Sequence, residues 1–107
     1  MNFIPINDIN LPQLNIYHQF RDHAFTSDNS FVADSPKVVN LLLEKDIHIR
    51  SILATREYYD TYEHLIKDKN IPQLFVASKA LMQDIVGHKI HHNVMMHGTR
   101  PQQTSLD

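Results

Sequence analysis

"SFVADSPKVVNLLL", residues 30–43, changes its apolar spacing half-way along. Phe31-Val32-Ala33 is a short continuous apolar run, the pattern of a strand covered on both faces. Asp34-Ser35-Pro36 interrupts it. Beyond the interruption Val38, Leu41 and Leu42 recur at helical spacing, with Val39 and Leu43 widening the stripe, which predicts a helix buried over much of its surface. Ser35 can place its hydroxyl oxygen on the free amides of the first turn, and Pro36 fits the first helical position, where no amide hydrogen is needed. Glu44, Lys45 and Asp46 end the helix. The segment reads as strand, cap, helix.

The same unit recurs twice. "IHIRSILAT" (residues 47–55) predicts a second strand through Ile47, Ile49 and Ile52-Leu53, and Thr55 can cap the helix "REYYDTYEHLIKDKN", whose Tyr58, Tyr62, Leu65 and Ile66 share a face. Pro72 opens a third strand, "QLFVA", and Ser78 caps "KALMQDIVG", with Leu81, Met82, Ile85 and Val86 inward and Gly87 as the stop. "HHNVMMHG" (residues 91–98) gives a fourth, short strand. Ahead of these units, "LPQLNIYHQFRDHAF" places Leu14, Tyr17, Phe20 and Arg21 at helical spacing, with Asn10 as cap and Pro12 in the first turn. Strands alternating with helices predict an α/β fold, a three-layer α/β/α sandwich around a mostly parallel sheet.

The 107 residues amount to one domain. The apolar and charged shares, 42% and 21%, are those of a globular protein and not of a disordered chain. No cysteine is present, which removes disulfides, thiolate chemistry and cysteine-based zinc sites and agrees with a reducing compartment. The first residues lack the basic and apolar blocks of a signal peptide, and no apolar run approaches the roughly 20 residues of a membrane span. A cytoplasmic location without membrane contact is expected. A net charge of −2 provides no basic excess, so polyanion binding should be weak and salt-sensitive.

Catalytic signatures are sparse. Two glycines, Gly87 and Gly98, cannot build a phosphate-cradling loop or a dinucleotide fingerprint. Asp60 and Glu63 read as a solvated helix face. His88, His91, His92 and His97 are of the right type for a transition metal, but neighbours on a strand point to opposite faces and no carboxylate lies among them. The segment reads instead as a polar edge strand and loop, with no metal site. Tyr58, Tyr59 and Tyr62 are of the right type to stack on bases, yet at helical spacing on a capped helix they read as core. Lys37, near its helix start, reads either as a phosphate contact beside the free amides or as a solvated lysine.

The ordered series "YHQFRD", "FVADSPKVVNLLLEKDIHIRSILAT", "IPQLFVASKALMQDIVG" and "VMMHGTRP" resembles the N-terminal substrate-binding domain of the SpoU/TrmH family of RNA 2′-O-ribose methyltransferases, from about Tyr17 to Pro101. There an "LRD"-like helix end precedes "FVxEGxKxVxxLL", a "V.SVL.T" strand, "IP.Y.V....M..I.G" and a stretch near "HRGVxAxGxR". Two segments differ: the family's Glu-Gly is Asp34-Ser35 here, and its "HRG" is His91-His92-Asn93. The resemblance implies a fold like that of ribosomal proteins that bind kinked RNA. It also implies a role in presenting tRNA or rRNA to an enzyme that uses S-adenosylmethionine.

Residues 1–101 would form this substrate-binding domain, and 102–107 a polar tail or the start of a linker. The family's "NxGxxxR" and "SLNVS"-like catalytic segments do not occur in the sequence. No catalytic residue is assigned, and no cofactor is expected in this chain; S-adenosylmethionine would belong to a separate catalytic domain. The chain is expected to be the front half of such an enzyme, as a piece or as a short gene product. It would be monomeric alone, with dimerisation through the catalytic domain. Arg21, Lys37, Arg50, Arg56, Lys89 and Arg100 are the expected phosphate contacts, which position RNA without reading bases. The net charge and the altered "HRG" segment leave an alternative, a protein-interaction domain of the same fold that has lost RNA binding.

Overall fold

The structure, a computed structural model, describes residues 3–18, 30–45, 47–87, 90 and 92–99. Five strands form one sheet: β1 (Phe3–Pro5), β2 (Ser30–Ala33), β3 (His48–Ala54), β4 (Gln73–Val76) and β5 (Val94–Thr99), in the order β1-β4-β3-β5-β2. β4 pairs in parallel with both β1 and β3, whereas β5 runs antiparallel between β3 and β2. Four strands therefore share one direction, as the repeated strand-helix units require.

The three helices that follow a strand begin where the sequence indicates, because a hydroxyl captures a free amide. Ser35 Oγ accepts from the Val38 N–H at the start of α2 (Pro36–Leu43), with Pro36 in the first turn. Thr55 Oγ1 accepts from the Tyr58 N–H at the start of α3 (Arg56–Ile66), and Ser78 Oγ from the Leu81 N–H at the start of α4 (Lys79–Val86). Gly87 closes α4 with φ 81°, the left-handed conformation that costs glycine least.

The helices cover both faces. On one, Val39 and Leu43 of α2 and Tyr58, Tyr59 and Ile66 of α3 pack on Ile49, Ile52, Leu74, Val94 and Met96. On the other, Leu14 and Tyr17 join Met82, Ile85 and Val86 of α4 over Val32, Leu53, Phe75 and Met95. The result is the expected three-layer α/β/α sandwich. No helix among the described residues is long and apolar enough to cross a membrane.

Four expectations need correction. The stretch after Asn10 is a 3₁₀ turn, Pro12–Leu14, followed by the short α1 (Asn15–His18), and Leu11, not Asn10, stands at the cap position. Asn10 instead donates its own N–H to Asp8 Oδ1 at 2.9 Å. Leu14 and Tyr17 are buried; Phe20 and Arg21 lie outside the described residues. In α2 the sheet is met by Val39 and Leu43, one turn apart, so Val38 and Leu41 turn outward with 46% and 57% of their surface exposed.

β5 is an internal strand and not a polar edge, since Val94, Met95 and Met96 are buried on alternate faces. The true edges are β2 and β1. The last of these was not anticipated: three residues including Pro5 make a weak pattern, and an edge tolerates the missing donor.

Candidate nucleic-acid interface

Because β2, β3 and β4 point the same way, the helices that follow them all start on one rim of the sheet, at its carboxyl ends. Backbone hydrogen bonds stitch that rim across the strands: Ile6 N–H to Val76 O at 2.8 Å, Ala77 N–H to Ala54 O at 3.1 Å and Thr55 N–H to Asn93 O at 3.1 Å. The positive ends of three helix dipoles therefore face the same solvent. A basic residue sits in the first turn of each, Lys37 in α2, Arg56 in α3 and Lys79 in α4, and all three are exposed. Exposed Asp34 and Glu57 stand among them, and exposed His92 leads into β5 on the same rim. Among the described residues neither Lys37 nor Lys79 has a carboxylate partner.

The expected contacts divide. Lys37 and Arg56 share this rim. The Arg56 guanidinium, however, lies 4.9 Å from the centroid of the Phe3 ring, a cation–π contact that ties α3 to the edge strand β1. Arg50 is half-buried at an irregularity in β3 between Ile49 and Ser51, four residues before Ala54 and so about 13 Å back along the strand. The fold does not bring it to the rim. Arg21, Lys89 and Arg100 lie outside the described residues. Lys79 was missed, although it follows Ser78 as Arg56 follows Thr55.

The tyrosines are structural. Tyr58 and Tyr59 are each 1% exposed, and Tyr62 is partly buried beside Tyr58, with ring centroids 4.9 Å apart. Tyr58 Oη donates to Asn40 Oδ1 at 2.7 Å, joining α3 to α2, and Tyr59 Oη donates to the Phe75 carbonyl at 2.7 Å. Burial pushes the hydroxyls of Tyr17, Tyr58 and Tyr59 well above the usual tyrosine range. Such groups cannot stack on bases or act as acids near neutrality.

Neither glycine opens a cradle for a cofactor among the described residues. Gly87 stops a helix, and a Cβ at Gly98 would lie 3.1 Å from the Phe31 ring, so Gly98 packs between strands and belongs to no cradling loop. Among the described residues no three His, Cys, Asp or Glu side chains gather. His97 lies within β5 and His92 precedes it; His88 and His91 are outside the described residues.

No protein-family model matches this sequence, and no curated protein matches it. Among solved structures the chain is similar to an rRNA methyltransferase from Sinorhizobium meliloti, with a TM-score of 0.63 and 12% identity, over 96% of this chain and 39% of that one. It is equally similar to the AdoMet-bound form of an rRNA methyltransferase from the same organism, with a TM-score of 0.63 and 12% identity, over 94% of this chain and 38% of that one. The likeness is one of fold. The chain spans about two fifths of the length of the enzymes it matches.

Proposed function

We propose that this chain is an RNA-binding domain of a 2′-O-ribose methyltransferase of the SpoU/TrmH type, one that holds tRNA or rRNA and performs no methyl transfer itself. The observation that carries the reading is the match of nearly the whole chain to a limited part of an rRNA methyltransferase. The ordered sequence segments that resemble the substrate-binding domain support it independently. In this reading residues 1–101 form the domain, and S-adenosylmethionine belongs to a catalytic domain outside this chain. The complex works in the cytoplasm.

The chain's own residues would act electrostatically. Lys37 and Lys79, each beside a helix start, meet phosphates with an ammonium and with amides of the first turn. Arg56 contributes charge while its guanidinium rests on Phe3. Titrating a tRNA and an rRNA fragment across a salt series tests the reading. Binding that falls steeply with salt is expected; no binding at low salt, or a flat response, rules it out.

A second reading, a protein-interaction domain of the same fold, is favoured by one observation. Acidic Asp34 and Glu57 alternate with the basic residues of the rim, so the rim is not a continuous positive surface.

A further inference from the structure

The outer face of α2 carries the two exposed large apolar side chains of the described residues, Val38 and Leu41. At about 100° per residue Leu41 stands about 160° round the helix from both Val39 and Leu43, directly away from the sheet. Exposed Lys37 and Glu44 flank Leu41 on one side, within about 60° of it, and Val38 lies at a similar angle on the other. Along the axis Lys37 is about 6 Å before Leu41, and Glu44 about 4.5 Å after it.

This arrangement is self-complementary. If a second α2 is laid antiparallel on the first about a two-fold axis through Leu41, Leu41 meets Leu41. Lys37 then comes level, within about 1.5 Å along the axis, with Glu44 of the second copy. The symmetry makes the ion pair twice. A parallel two-fold would instead put the two Lys37 side chains, and the two Glu44 side chains, on opposite sides of the Leu41 contact, so the Lys37–Glu44 pair forms in the antiparallel arrangement alone.

We propose that the face Lys37–Val38–Leu41–Glu44 is a contact between two copies of this chain, packed as antiparallel α2 helices. The occupant is a second copy because the charges on this face complement each other under a two-fold axis. The contact is small. One helix face falls well short of the roughly 800 Å² per partner of a stable interface, so the dimer is weak and forms at high protein concentration. It would replace the monomer expected from the resemblance, and because Lys37 is also the proposed phosphate contact, RNA and the second copy compete for it, so self-association is measured without RNA.

Sedimentation of the 107-residue chain over a concentration series at low salt is the test, with circular dichroism confirming that each variant is folded. A monomer–dimer equilibrium is expected, weakened at least about 10-fold by Leu41→Asp. Lys37→Glu alone and Glu44→Lys alone should each weaken it about 10-fold, because each creates two like-charge contacts. The double reversal, Lys37→Glu with Glu44→Lys, should restore it to within about 2-fold. A chain that stays monomeric at the highest concentration overturns the proposal, as does a dimer indifferent to Leu41→Asp. Single reversals that the double variant fails to rescue also overturn it. Loss of RNA binding in Leu41→Asp without any self-association would assign the face to RNA instead.

Discussion

Tyr17 and Ser51, 34 positions apart in sequence, share a 2.6 Å hydrogen bond between their hydroxyls in the layer joining α1 to β3. Tyr17 is fully buried and Ser51 is 3% exposed, so neither can turn to water for a substitute. Tyr17→Phe should therefore cost about 1–3 kcal/mol of stability, the range for stranding a buried polar group. The double variant Tyr17→Phe with Ser51→Ala should cost less than the sum of the singles, because it leaves no stranded hydroxyl. Urea unfolding of the four proteins measures the coupling, and strict additivity would show that the bond contributes nothing.

The buried tyrosines set an alkaline limit. Tyr17, Tyr58 and Tyr59 all have their ionisation pushed up, chiefly by burial. An exposed tyrosine in the unfolded chain loses its proton near pH 10. Below that pH both states hold the proton, and the stabilisation from keeping these groups neutral is fully present. Above it the unfolded chain releases protons that the folded chain retains, so stability falls as pH rises. For a fully buried group such as Tyr17 the slope is about 1.4 kcal/mol per pH unit. Tyrosinate absorbance and loss of helical dichroism should rise together above pH 10. Tyrosinate appearing in a chain that stays folded would contradict this account.

How legible the fold is depends on whether a signal is local. Ser35, Thr55 and Ser78 mark helix starts by themselves, because capping needs only a hydroxyl and the next few amides, and all three cap. Facing is harder. In α2 five consecutive positions but one are apolar from Val38 to Leu42, so periodicity cannot say which face the sheet takes, and packing chooses Val39 and Leu43. The histidines disguise β5, whose central place comes from pairing with β3 and β2, contacts between residues far apart in sequence. The rim was half legible: Lys37 and Arg56 are found by their caps, whereas the displacement of Arg50 follows from strand direction and length.

The two glycines should respond differently to substitution. Gly87 has open space where a Cβ would go but a φ of 81°, so Gly87→Ala should cost about 1 kcal/mol through backbone strain, and Gly87→Asn less, since asparagine tolerates that conformation. At Gly98 the added methyl meets the Phe31 ring at 3.1 Å and the His48 carbonyl at 3.4 Å. There the cost is steric, about 1–3 kcal/mol for alanine and more for asparagine. Thermal or urea unfolding of the four variants checks the reversed order. Asparagine proving milder than alanine at both sites would refute the steric account of Gly98.

Position on the sheet should decide which cations matter for RNA. Lys37 and Lys79 stand at helix starts on the shared rim, exposed and without a carboxylate partner among the described residues. Replacing either by glutamine should weaken binding similarly for tRNA and rRNA, and lower the slope of log affinity against log salt by about 1, the signature of one lost phosphate contact. Arg50, about 13 Å back along β3, should leave that slope unchanged as glutamine. Arg56 is the mixed case, because Arg56→Gln also removes the cation–π contact with Phe3 and so should lower stability as well as affinity. Arg56→Lys keeps the charge and a weaker form of the ring contact, so it should recover most of the affinity. A salt slope that drops for Arg50→Gln but not for Lys37→Gln or Lys79→Gln would move the RNA to the opposite end of the sheet and leave the three helix starts without a role in binding.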